Sequence, residues 1–276
     1  MFSIVRQTGV TQATCHGTCR EITFRFALAA ACLATCIPIG ARAAEIEVIN
    51  LNDSGPNSLR DAIENAASGD RIVLNVPGGG TITMLSDLPE ITDSLSFTNP
   101  KVSAVVIDRN GNGPLRVTGG AIHLAELQVT GAGPDIVLSP AATLIGNIEQ
   151  ITADVTASGR IAPGSSSSIG DVGELIIEGD LDASNSIILI DVRSGPASSN
   201  DMIRVIGTAD VTGATLNPTF AGSAYSVGDT FTVIDASASV NGIIANAAET
   251  FSLPSNPFLE ASIGQCRSCP VPFILP

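Results

Sequence analysis

The sequence predicts an all-β chain, a solenoid of short stacked strands closed at its leading end by one short amphipathic helix. Three observations carry this. From Arg71 onward, runs such as RIVLNV, TITML, SLSF, AVVID, PLRVT, AIHLAELQVT, DIVLS, ATLIG and IEQIT recur with Gly, Pro, Asn and Asp between them. No helical period intervenes, so each strand must bury one side against neighbouring coils; a β-sandwich competes, because it alternates short strands and turns in the same way. Ahead of the strands stands a single helical stripe: Leu59, Ala62, Ile63 and Ala66 fall at i, i+3, i+4 and i+7, opposite Arg60, Asp61, Glu64 and Asn65. A β-stack leaves strand edges and a dry core open at its ends, and a helical plug covers them.

The helix is bounded by local signals. Ile46, Val48 and Leu51 read as a strand, Asn52-Asp53-Ser54-Gly55-Pro56 breaks it, Asn57 or Ser58 can cap the helix, and Ser68-Gly69-Asp70 ends it. In AIHLAEL, alternation sets His123 between Ile122 and Leu124, where a lone histidine is a satisfied or surface residue rather than a catalyst. Asp108, Asn110 and Asn112 match the first half of a calcium loop, DRNGNG. Gly119 stands where that loop needs a bidentate Glu, so the segment reads first as an Asn-Gly turn between coils, with calcium as the alternative.

Composition narrows the function. The 276 residues are 44% apolar and 14% charged, and their mean hydropathy is +0.35. Such a chain buries a core and is not disordered. One Tyr and no Trp leave Tyr225 as the sole amphipathic aromatic, a poor supply of platforms for sugars or nucleobases. The formal charge of −14 deepens to −17 without residues 1–43, which carry Arg6, Arg20, Arg25, Arg42 and Glu21. Nucleic acid is not an expected partner, since binding it takes clustered Lys and Arg and Lys101 is the only lysine. Anionic lipid is disfavoured for the same reason.

Export is the expectation at the N-terminus. Residues 1–43 read as a signal peptide: Phe26 to Gly40 is an apolar run preceded by Arg20 and Arg25 and followed by Ala41-Arg42-Ala43, an A-x-A cleavage signature. The run falls short of the roughly 20 residues that span a bilayer. Four of six cysteines lie before the cut, leaving Cys266 and Cys269 in the remainder. That CxxC lacks the further ligands a zinc site needs, and reads as a local disulfide or a tail feature without a role.

Two stretches resemble known families. NSLRDAIENA, followed by GGGTITMLSDLPEITDSLSF and VVIDRNGNG, resembles the CSLREA-type repeat domain of bacterial surface proteins, with Asn57 where that family has Cys and Asp61 where it has Glu. From Ala157, the APG-Ser-rich turn, GELIIEGDL, SIILID, DMIRVIGTADVTGATL and YSVGDTFTVI are similar to the C-terminal passenger region of bacterial autotransporters. Both resemblances imply a right-handed parallel β-helix. The chain then divides into a signal peptide (1–43), the N-terminal cap with the first coils (44–156), passenger-type coils (157–250) and a C-terminal tail (251–276). The tail lacks the alternating segments of about ten residues that a membrane barrel needs, so a translocator would be a separate chain.

The function these readings imply is an exported, cell-surface, outer-membrane-associated or extracellular, non-catalytic scaffold or adhesin, requiring no cofactor and meeting host or cell-surface components. A β-helical polysaccharide lyase or hydrolase is the alternative, with Asp135, Asp154, Asp180, Asp182 and Asp191 as its available acids. Lys101 and eight Arg are a thin supply of base for acidic sugars. A third reading is an autotransporter remnant lacking its barrel.

Overall fold

The computed structural model describes residues 43–100, 104–164, 172–193, 199–222, 225–226, 229–253, 256–263 and 271–274. They form a parallel β-solenoid with one short helix. β1 (Glu45–Val48) leads into α1 (Leu59–Asn65), and β2 (Arg71–Leu74) and β3 (Gly80–Thr83) begin the stack. Complete coils follow, each placing a strand in each of three sheets. The first two are β4 (Leu95–Thr98), β5 (Val105–Asp108) and β6 (Leu115–Val117), then β7 (Ala121–Ala125), β8 (Gln128–Thr130) and β9 (Ile136–Leu138). Next come β10 (Thr143–Gly146), β11 (Gln150–Thr152) and β12 (Val155–Ala157), then β13 (Arg160–Pro163), β14 (Glu174–Glu178) and β15 (Leu181–Asp182). The fifth holds β16 (Ile187–Arg193), β17 (Ser199–Asn200), β18 (Met202–Val205) and β19 (Thr208–Asp210), and the sixth β20 (Thr215–Ala221), β21 (Thr230–Ala236) and β22 (Ser239–Asn241). Last are β23 (Thr250–Leu253), β24 (Asn256–Ile263) and β25 (Val271–Ile274).

Three sheets run along the column. The first stacks β1, β2, β4, β7, β10, β13, β16 and β20; the second β3, β5, β8, β11, β14, β18 and β21; the third β6, β9, β12, β15, β19 and β22. Pairing between coils is parallel throughout, which a sandwich of antiparallel layers does not show. Nothing interrupts the stack between the two segments that the sequence distinguishes, because β12 pairs with β9 on one side and β15 on the other.

Register places like residues above one another. Leu95, Ile122, Leu144, Ile161, Ile188 and Leu216 form one inward column in the first sheet. Leu115, Ile136, Val155, Leu181, Ala209 and Val240 form another in the third. All twelve are buried. Each Leu or Ile so enclosed contributes about 1.5–3 kcal/mol relative to exposure, and β-branched side chains suit the pleat. Coil length is not fixed. Arg160 lies beside Thr143, 17 residues on, whereas Thr215 lies beside Ile187, 28 residues on; a constant repeat is therefore invisible in the sequence.

At the leading end, Leu59, Ala62 and Ile63 of α1 are buried in the core and Ala66, just past the helix, packs against it. Of the two possible caps the structure uses Ser58, whose hydroxyl accepts the Asp61 amide. The Asp61 carboxylate in turn accepts the Asn57 amide at 2.8 Å. Arg60 fixes the helix to its surroundings, pairing with Asp53 at 3.0 Å and donating to the carbonyls of Ser86 and Asp87.

Two sequence expectations change. AIHLAELQVT is not one strand but two, β7 and β8, because Glu126 adopts φ 57° and turns the chain through a corner. The segment read as a tail supplies β23, β24 and β25, which extend the second sheet from β21 in antiparallel order. Alternation alone does not separate such strands from the solenoid.

Truncating a side chain in an inward column leaves a cavity in a packed interior. Ile161→Ala should lower stability by about 2–5 kcal/mol, and Leu59→Ala by a similar amount. Leu85→Ser, at a residue 74% exposed, should stay within about 0.5 kcal/mol. Urea unfolding followed by circular dichroism measures all three.

Candidate functional site

Three of the acids that the sequence offers for chemistry, Asp135, Asp154 and Asp180, lie where the chain turns from the second sheet to the third. Their carboxylates are engaged in stacking the coils. Asp135 Oδ2 accepts the Asp154 amide at 3.0 Å, Asp154 Oδ1 accepts the Asp180 amide at 2.8 Å, and Asp180 Oδ1 accepts the Thr208 amide at 2.7 Å. Each corner is thus held to the next by a charged acceptor on a backbone donor. Close approach of the corners requires glycine: a Cβ on Gly207 would lie 2.4 Å from the Gly179 carbonyl oxygen.

The ladder is rooted in a buried ion pair. Arg109 Nη2 lies 2.9 Å from Asp135 Oδ1, and the guanidinium also donates to the carbonyls of Asn112, Ala132 and Gly133. Burial pushes the Asp135 carboxyl above its ordinary range, against the opposing pull of the Asp154 amide and Arg109. Arg109 therefore has a role that its place inside DRNGNG did not reveal; the signal was a lone arginine between a strand and an Asn-Gly turn.

The calcium candidates do not converge. Asp108 Oδ1 accepts the amide of Asn110, while the side-chain amides of Asn110 and Asn112 both donate to the Met84 carbonyl. The loop closes on the previous coil. Among the described residues no three His, Cys, Asp or Glu side chains are grouped so that they could hold a metal ion.

On the outer face of the third sheet, Asp182 and Asp210 sit side by side on consecutive coils. Each closes its own turn: Asp182 accepts the Ser184 amide, and Asp210 accepts both the hydroxyl and the amide of Thr212. The Thr212 hydroxyl is the first cause that holds the Asp210 carboxyl below its usual value, and the Thr212 amide the second. A general acid at neutral pH needs the opposite shift. Asp191, the remaining candidate acid, is buried within β16, its amide donating to Asp201 Oδ2 at 2.8 Å.

A groove of about 440 Å³ opens on the first sheet, lined in part by Arg71, Ser96, Thr98, His123, Glu126 and Glu149. Register aligns Arg71, Ser96 and His123 across three coils. His123 faces outward, as its alternation implies. Its Nε2 is 3.4 Å from Glu149 Oε2 without the alignment of a hydrogen bond. Arg71 donates to Thr98 at 3.1 Å and lies 3.5 Å from Glu45. Neither Arg71 nor Glu149 carries a sequence signal, since the groove exists only once the coils are stacked. Cys266, Cys269, Lys101 and residues 1–42 lie outside the described residues.

Removing the root of the ladder leaves a buried charge without its partner. Arg109→Ala should cost about 3–5 kcal/mol, whereas Asp180→Ala, which orphans one amide, should cost about 1–3 kcal/mol. Denaturant titration of the two variants checks the order. Acid titration separates two further carboxylates by sign. The contribution of Asp210 is in place above the usual aspartate value of 3.8 and fades as pH falls through its lowered folded value. Asp135 works in reverse: the folded protein holds its proton more tightly than the unfolded chain, so its contribution grows as pH falls through the raised value. Asp210→Asn should shrink the acid-side loss of stability, read from melting temperatures between about pH 5 and pH 2.

No protein-family model matches the chain, and no curated protein matches it. What places it is its own architecture, a parallel β-solenoid of six complete coils among the described residues.

Proposed function

We propose that the chain is an exported β-solenoid that serves as a non-catalytic surface scaffold or adhesin. One observation carries the reading: Asp135, Asp154 and Asp180, the acids on successive corners, accept the amides of the next coil and so build a shaft rather than a reaction centre. The A-x-A signature at Ala41-Arg42-Ala43 and the passenger-like coils support export to the surface. The scaffold and adhesin versions differ in whether the flank of the column binds host or cell-surface components.

The carbohydrate-active reading keeps one observation in its favour, the groove in which His123 and Glu149 face each other beside Arg71. Catalytic carboxylates flank a scissile bond and one must hold a proton at working pH; Asp135 is shifted in that direction by burial, but both of its oxygens are taken up by Arg109 and the Asp154 amide.

Two measurements test the proposal. The purified protein should be retained on cells or matrix above a scrambled-sequence control; equal retention removes the adhesin version and leaves the scaffold. Incubation with acidic and neutral polysaccharides should yield no new reducing ends or unsaturated sugars, and turnover that disappears in His123→Gln would overturn the non-catalytic reading.

A further inference from the structure

Residues 43 and 44 immediately precede the leading strand, and both are exposed. The Ala44 amide donates to Asp70 Oδ1 at 2.7 Å, and the second carboxylate oxygen, Oδ2, accepts the Ala67 amide at 2.8 Å. Asp70 is only 7% exposed. Its own backbone carries the stack onward, because its carbonyl accepts the Ser96 amide, while the next residue, Arg71, donates to the Ala44 carbonyl. Among the described residues no Lys or Arg forms an ion pair with this carboxylate. A buried carboxylate held by neutral amides alone is an unusual arrangement, since buried charges are generally paired.

The amide at Ala44 is also the atom that the A-x-A signature singles out, because cleavage after Ala43 makes it the chain's first nitrogen. We infer that Asp70 is the receptor for a new N-terminus: hydrolysis of the Ala43–Ala44 bond converts the amide it already holds into an α-ammonium, and the resulting ion pair locks the leading strand to the first coil. This rests on the export reading and specifies its consequence. Water adds across the peptide bond under an external endopeptidase; Ala43 departs as a carboxylate with the upstream segment, and the Ala44 nitrogen takes up a proton. One neutral donor becomes a charged group with three, and charge-assisted bonds are roughly twice as strong as neutral ones. The nitrogen and the carboxylate oxygen are already at bonding distance, so little rearrangement is required.

The sign of the pH dependence follows. An α-amino group ionises at about 7.7–8.0 in an unfolded chain, and a carboxylate beside it raises that value in the fold. The stabilisation is therefore complete below about pH 7.7 and disappears as pH rises through the raised folded value. The amides of Ala67 and Ala44 hold the Asp70 carboxyl below its ordinary range, so it remains an anion throughout this window.

The full-length chain is expressed in an exporting host, recovered from the exported fraction, and its N-terminus sequenced by mass spectrometry. Ala44 should be the first residue. Melting temperature should fall by about 2–4 °C more in the wild type than in Asp70→Asn as pH is raised from 6 to about 10. If Asp70→Asn does not fold, acetylation of the Ala44 amine in folded wild-type protein must lower the melting temperature at pH 6 by a similar amount. A first residue other than Ala44 overturns the premise of cleavage. A chain that begins at Ala44 but shows the same alkaline loss in both proteins, or none on acetylation, overturns the role of Asp70 and leaves export standing.

Discussion

Parallel pairing of each coil with the next is the constraint from which the remaining features derive. A parallel strand cannot satisfy its backbone within its own coil, so no coil is stable alone and every inward side chain must meet the same station above and below. The column from Leu95 to Leu216 shows how closely this is obeyed, with a branched aliphatic residue at each of six levels. Two problems remain once such a column exists. The corners, where strands give way to turns, leave amides that need acceptors, and the two ends leave edges that invite association.

The corners are solved with charge and with side-chain amides. Asp135, Asp154 and Asp180 bridge successive turns, and the buried Asn99 returns both its donor and its acceptor to Val105. At the far end Asn246 does the same for Leu216, binding its amide and its carbonyl in the place where another strand would lie. The second sheet ends differently, in the antiparallel set of β25, β24 and β23. Polar side chains that imitate backbone thus finish what backbone cannot, and their low exposure is the reason that they must be fully bonded.

Much of the fold was legible because inward aliphatics and turn residues leave a local trace. The helix was legible for the same reason: Leu59, Ala62 and Ile63 carry a period that nothing else in the chain shares. Other features depend on which coil a residue meets, and that is set by coil lengths of 17 to 31 residues that no fixed period encodes. Arg109 and Asp135 are 26 positions apart, and His123 and Glu149 are as distant in the chain. The ladder of Asp residues was hidden for a further reason, because a carboxylate on a turn reads as solvated surface until the next amide is found 2.7–3.0 Å away.

The unequal coils have an evolutionary consequence. Stacking fixes three short faces per turn and leaves the lengths between them free, so the connections between strands can accept added or deleted residues while the shaft keeps its register. A column of this kind can therefore vary its outer contour coil by coil while the architecture that carries it stays the same.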